Sequence, residues 1–401
     1  MVWKTKTLEE ACQFSNGLWK GEKPPFANVG VIRNTNFTKE GTLDDSDIAY
    51  LDVEAKKLEK RRLQFGDIIL EKSGGGPKQP VGRVALFEKK DGNFSFSNFT
   101  AALRVIDPHE LDFRYLHKFL HWPYLSGVTE GMQSHSTGIR NLDGDAYKTI
   151  KISFPSLPEQ HRIVGILDEA FDGIASAKAN AEKNLQNARA LFESHLQAVF
   201  IQRGAGWEEK QLSDVAKDFG RGKSKHRPRN APKLYGGKYP FIQTGDVRNS
   251  DHLITSYSQT YSETGLAQSK LWPKGTLCIT IAANIAETGI LAFDACFPDS
   301  IIGVVVDEKL TSNKFMEYLL RSFKALLQAQ GKGSAQNNIN LGTFEAQSFP
   351  FPNLESQYKL VATLDSLREE TQRLASIYQC KLAALDALKK SLLHQAFSGN
   401  L

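Results

Sequence analysis

Residues 153–164 read SFPSLPEQHRIV, and residues 348–361 read SFPFPNLESQYKLV. Setting Pro155 against Pro352, an offset of 197, brings Leu157 onto Leu354, Gln160 onto Gln357 and Val164 onto Val361. The match continues through Leu167-Asp168 with Leu364-Asp365 and Leu185 with Leu382 to Phe200 with Phe397, without a gap. A period of this length is far too long for a solenoid. It marks two copies of one unit, each a globular domain followed by a long helix.

The flanks extend the repeat. PFANVGVIRN (25–34) pairs with PFIQTGDVRN (240–249), FGDIIL (65–70) with KGTLCI (274–279), and GRVALF (82–87) with GILAF (289–293). SHSTGIRNL (134–142) pairs with SAQNNINL (334–341), and Trp3 with Trp207. The expected boundaries are 1–154 and 204–351 for the globular copies, and 155–203 and 352–401 for the helices. Strands are expected at Asp67–Leu70, Val81–Phe87, Ala101–Ile106, Leu277–Ile281 and Ile301–Val306, with a helix at Phe113–Leu120 and another at Lys314–Leu327. Each copy is therefore a mixed α/β (α+β) domain.

Ser156 and Glu159 have the spacing of a capping box, and Asn353 takes the N-cap place in the second copy. Alternate steps of four and three then give an apolar stripe through Ile163, Leu167, Ile174 and Leu191. The second stripe runs through Leu360, Leu364, Leu367, Leu374, Leu385 and Leu388. Heptads sustained this long predict a coiled coil. The first stripe is rich in Ala and the second in Leu, so small residues face large ones. Connectivity favours an antiparallel pair about 60 Å long at 1.5 Å per residue, with the two copies related by a pseudo-two-fold axis. The C-terminal FSGNL is then expected near Trp3, as Phe200 leads into Trp207.

The 401 residues suffice for two to four domains. No stretch has the roughly 20 apolar residues of a membrane span, and the N-terminus lacks a signal-peptide core. Cys12, Cys278, Cys296 and Cys380 are scattered without a CxxC pair, which points to a reducing cytosol and away from disulfides or zinc. The net charge is +5, and RGKSKHRPR (221–229) alone carries five cations. Such a loop suits a localised polyanion contact.

Catalytic signatures are not found. FGRGKS (219–224) has the end of a P-loop, but Lys217 stands where its first Gly belongs. His117 and His121 have i, i+4 metal-ligand spacing without an evident third ligand. The polar loops speak for binding instead. They supply Lys72, Ser73, Lys78, Gln79 and Arg83, then Ser134, His135 and Arg140. The second copy supplies Arg221, Lys223, Lys225, His226, Arg227 and Arg229, then Lys332, Ser334, Gln336 and Asn337. Lys and Arg neutralise phosphates; Asn and Gln pair with adenine, and Arg with guanine.

With these residues in view, the whole chain resembles the specificity (S, HsdS) subunit of Type I restriction-modification systems. The likeness rests on residues 154–200, GAGW (204–207), FPNLESQYKLVATLDSL (351–367), KSGGGPKQPVGRV and GSAQNNINL; the second copy departs from the first in reading NLESQ for SLPEQ. The resemblance implies two target recognition domains, each reading half of a bipartite double-stranded DNA sequence. It implies helices that set the spacing and dock two modification (M) subunits. S-adenosylmethionine is then bound by those M subunits and no cofactor by this chain, which has no catalytic activity; restriction (R) subunits complete the nuclease. It also implies the cytoplasm of a bacterium or archaeon. Two alternatives stay open at this point: a subunit of a solitary methylation or phage-defence system, and a non-enzymatic coiled-coil scaffold.

Overall fold

The computed structural model describes residues 3–18, 21–38, 40–76, 79–136, 139–282, 285–332 and 341–401; the side chains of 135, 136, 330–332 and 343 lie outside the description. Contacts divide the chain into two units. Unit 1 is Met1–Glu182 with Cys380–Leu401, and unit 2 is Lys183–Gln379. Each unit thus owns one globular domain, the start of one long helix and the end of the other.

In unit 1 a four-stranded antiparallel sheet is built from β1 (Cys12–Asn16), β2 (Ile68–Glu71), β3 (Val84–Leu86) and β4 (Thr100–Val105), in the order β1-β4-β2-β3. Helix α1 (Phe113–Leu125) follows, capped by the Asp112 carboxylate on the N–H groups of Arg114 and Tyr115. Helix α2 (Leu157–Gln202) then leaves the domain.

Unit 2 repeats the plan. Strands β5 (Ala216–Arg221), β6 (Leu253–Ile254), β7 (Leu277–Thr280), β8 (Thr288–Leu291) and β9 (Ile301–Val306) pair in the order β5-β9-β7-β8-β6. The first four places match those of unit 1. Helix α3 (Asn313–Ser322) stands where α1 stands, with Ser312 as its N-cap, and helix α4 (Leu354–Phe397) leaves the domain. The expected single helix over Lys314–Leu327 is two, since α3 ends and a second helix starts at Lys324.

The repeated phrase has a physical reason. Gln160 and Gln357 are 0% and 1% exposed. Gln160 Nε2 donates to the carbonyls of Glu110 and Pro155 at 2.9 and 2.8 Å, and its Oε1 accepts from Asp112 N–H at 2.8 Å. Gln357 Nε2 donates to Leu310 and Pro352 carbonyls at 3.0 Å, and its Oε1 accepts from the Thr311 hydroxyl at 2.8 Å. One buried amide per copy therefore ties the first turn of the long helix to the turn before α1 or α3. Asn353 caps α4 as expected, through Ser356 N–H at 2.9 Å. The Glu159 carboxylate instead takes the Arg162 guanidinium.

Within each unit the helices run antiparallel. In unit 1 Ile163, Val164 and Leu167 share a core with Leu393 and Ala396, and Lys178 reaches Asp386 at 2.7 Å. In unit 2 Phe192, Leu196 and Phe200 share a core with Val361 and Leu364. Gly399 lies beside Trp3, as expected. Ile163, Leu167, Ile174 and Leu364 are buried, and Leu360, Leu367, Leu374 and Leu385 half-buried. Leu191 and Leu388 are not core residues: they are 51% and 46% exposed. Past Ala188 and Leu385 the inward face advances in steps of four, through Phe192, Leu196 and Phe200, and through Lys389 and Leu393. There the helix is covered by a globular domain as well as by its partner, so the 3.6-residue period of a domain core replaces the 3.5 of a seam.

Two flank alignments are also corrected. Phe26–Ile32 is a strand, whereas Thr244–Asn249 is a helix, so PFANVGVIRN and PFIQTGDVRN do not superpose. The shared place is Arg33 with Gln243, whose N–H groups are capped by Asn36 and Asp246. Likewise Gly82 corresponds to Ala286 rather than Gly289: their N–H groups donate to the equivalent carbonyls of Glu71 and Thr280. Short strings of Gly, Arg and Asn recur by composition, and backbone hydrogen bonds decide which recurrences are structural.

Candidate nucleic-acid interface

In unit 1 a small sheet gathers two loops that are distant in sequence. Ile139–Leu142 pairs with Gln133–Ser136 on one side and Ser73–Gly75 on the other. Ser134 lies opposite Asn141, His135 opposite Arg140, and Arg140 opposite Gly75. The Ser73 hydroxyl donates to Asn141 Oδ1, and Lys72 Nζ to Asn16 Oδ1 at 2.9 Å. Burial lowers the Lys72 pKa. Lys72, Ser73, Ser134 and Arg140 thus share one platform, and His135 is placed beside it by its backbone pairing.

Arg83 differs. Its guanidinium donates to both oxygens of Glu71 at 2.8 and 3.0 Å and to the carbonyls of Asn34 and Phe37 at 3.1 and 3.3 Å. The Gln79 amide lies against the same group. Arg83 is therefore spent on holding the base of the glycine loop. A charge buried with its bonds satisfied has no donors left for a base. Lys78, Ser334, Gln336 and Asn337 lie outside the described residues, and so does the side chain of Lys332.

In unit 2 the basic loop is folded down. Arg221 Nε donates to the Asp299 carbonyl at 2.7 Å, and Arg229 pairs with the Asp299 carboxylate at 2.8 Å. Arg227 Nη1 donates to the carbonyls of Ser224 and His226 at 2.8 and 2.9 Å. The His226 N–H donates to Gln268 Oε1 at 2.9 Å, Tyr235 OH donates to the Arg229 carbonyl at 2.7 Å, and Ser224 lies against Tyr261 OH. Gly222 is required because a Cβ there would stand 2.2 Å from the Phe297 carbonyl oxygen. Lys223 and Lys225 remain exposed, with no ion-pair partner among the described residues. They present the free charge of the loop. Asp299, Gln268, Tyr235 and Tyr261, which shape it, went unnoticed in the sequence; none sits within the basic run.

No group of three metal-ligating side chains occurs among the described residues, and none of their helices is long and apolar enough to cross a membrane. What the geometry defines is a pair of polar surfaces, one in each unit, on domains that are each clamped to a long helix.

That is the architecture of a DNA specificity protein. The model of the Type I restriction modification DNA specificity domain matches residues 2–186 and again 205–379, and the chain belongs to this family. It is 22% identical over 399 residues to the specificity subunit of the Type I restriction enzyme EcoKI of Escherichia coli K12, covering 92% of this chain and 82% of that one. Its fold matches a chain solved in a study of complex assembly and conformational transition of the type I R-M system, with a TM-score of 0.80, 20% identity and coverage of 100% and 98%. It also matches the HsdS subunit of Thermoanaerobacter tengcongensis, with a TM-score of 0.65, 19% identity and coverage of 100% and 97%. The mixed α/β fold with two recognition domains and long helices is thus that of specificity subunits.

Proposed function

We propose that each unit reads one half of a bipartite DNA target and that the two long helices hold the two readings at a set distance. The observation that carries this is the duplication of a whole device. The same sheet order, the same buried Gln and the same helix exit recur on two platforms whose loops differ. Divergent loops on a shared scaffold permit unrelated half-site sequences. Two weak readers on one stiff link gain affinity through effective concentration.

In this reading the chain moves no bonds. Methyl transfer belongs to two modification subunits that bind S-adenosylmethionine, and cleavage to restriction subunits. The modification subunits dock on the helices. Leu191 and Leu388, exposed at the same place in both copies, are the apolar contacts we assign to them. Phosphate contacts come from Lys223 and Lys225 in unit 2 and from the Lys72 platform in unit 1.

Sequencing the methylated genome of the native host with and without this gene tests the proposal. Loss of one bipartite adenine-methylation motif on deletion is the expected result. If every motif persists while the gene is expressed, the reading is wrong, and a scaffold role replaces it.

A further inference from the structure

The joint between globular domain and helices is built at the same place in both units, and its chemistry is inverted. Gly41 and His252 are equivalent: their carbonyls accept from Leu86 and Ile290 N–H, at 3.2 and 2.9 Å, on matching strands, and their φ angles are +84° and +85°. His117 and Glu317 are equivalent, each five residues after the N-cap of its helix. Across the repeat, Phe171 corresponds to Arg368, and Lys389 to Phe192.

In unit 2 the joint is closed. His252 Nδ1 bonds Glu317 at 2.9 Å, Arg368 pairs with Asp251, and Arg321 pairs with Glu193 while lying 5.2 Å over the Phe192 ring. In unit 1 no ion pair joins the matching groups: His117 packs against the Gly41 backbone, and Lys389 lies over the Phe171 ring. Both ring nitrogens of His121 and Nε2 of His117 are buried without a hydrogen-bond partner among the described residues. Lys389 Nζ lies 5.0 Å from the Phe171 ring and has no carboxylate within ion-pair distance among them. Two cavities, of about 510 and 900 Å³, open at this point; Lys389 lines both, His117 the smaller and His121 the larger. The other cations there are spent, Lys118 on Asp168, Lys178 on Asp386, Arg83 on Glu71, Lys89 on Asp45 and Arg114 on Glu88.

We infer that this open joint is an oxyanion site, in which the Lys389 ammonium and the His121 imidazole hold a phosphate group. Both are hydrogen-bond donors that lack acceptors among the described residues, and burial lowers the Lys389 pKa, a cost that an anion relieves. Carboxylates line both cavities too, Glu40 in each, with Asp45, Glu88, Asp168 and Asp172 in the smaller and Glu71 and Asp386 in the larger; they favour a singly charged phosphodiester over a dianion. The inference rests on the DNA reading for its ligand, the backbone of the half-site duplex, while a free phosphodiester has the same chemistry.

The test uses the full-length chain and two probes, a random-sequence DNA duplex and dimethyl phosphate. Lys389→Met keeps the apolar stem; Lys359→Met, on an exposed face of α4, controls for charge. We expect Lys389→Met, and not the control, to reduce the slope of log K against log salt by about 1. An unchanged slope with loss of thermal stabilisation by dimethyl phosphate would support the site with a free diester as its ligand. If the wild type binds no duplex but keeps that stabilisation, the DNA reading fails and the site stands. His121→Leu repeats both measurements should Lys389→Met misfold. Wild-type behaviour of the variants in both assays overturns the proposal.

Discussion

Unit 2 closes its joint with ion pairs, and in unit 1 the corresponding groups touch without pairing charge. The scaffold around the two joints is the same, down to the buried Gln and the left-handed residue on the facing loop. What differs is a handful of side chains that change together: Gly for His, His for Glu, Phe for Arg and Lys for Phe. A duplicated fold therefore keeps its backbone bonds and renegotiates its buried charges. Where one partner of a buried pair is replaced, its mate has to change or lose stability, because an uncompensated buried charge is costly.

The largest test of this contrast is Glu317→Ala. It strands His252 and Thr288 in unit 2, and we expect a loss of about 3–5 kcal/mol in denaturant unfolding of that unit. His117→Ala, at the same place in unit 1, removes a ring whose Nε2 has no partner and is expected to cost about 1 kcal/mol. Equal losses would break the distinction between a closed and an open joint.

Next come the shared parts. Gln160→Ala and Gln357→Ala each free two buried carbonyls and one further group, and each is expected to cost about 3 kcal/mol. Similar losses in the two variants would sharpen the comparison, since the clamp is common to both units; a tolerant unit would show that its domain is held by something else.

Acid then separates the units. Burial pushes the His117 pKa down from 6.5 to about 4, and His121 is lowered for the same reason. The unfolded chain takes up these protons first, so unit 1 keeps its full stability above about pH 6.5. Stability falls between there and about pH 4, by on the order of 3 kcal/mol for His117 alone. Denaturant midpoints at pH 7 and pH 4.5 measure the loss, and His117→Gln should flatten it. A His117→Gln variant that stays as acid-sensitive as the wild type would remove this group from the account.

The smallest effect is expected at the helix surface. Leu191→Ser and Leu388→Ser should change stability by less than about 0.5 kcal/mol, because neither side chain is packed within its unit. Co-purification with modification subunits should fall in both. Melting temperatures lowered by many degrees would return these leucines to the core.

The duplication, the long helices and the strand β9 were legible from local pattern alone, because spacing and propensity are properties of the chain itself. The Leu191 and Leu388 positions were misread because a heptad pattern does not say where a globular domain begins to cover the helix. In the candidate interface, the basic run was visible, but the commitment of Arg221, Arg227 and Arg229 to Asp299 and to backbone carbonyls was not. Asp299 lies 70 residues beyond Arg229 and carries no motif. The joint was invisible for the same reason: Gly41, His117 and Lys389 come from three distant parts of the chain, and only tertiary structure juxtaposes them.

The division of the chain also orders events on the ribosome. Unit 2 is one uninterrupted run, 183–379, whereas unit 1 needs residues 380–401 to be complete. The half made first is the half finished last. Until Leu393 and Ala396 emerge, the apolar face of Ile163, Val164 and Leu167 is left without its cover. The nascent protein is therefore expected to be most exposed to proteases and chaperones at its oldest end.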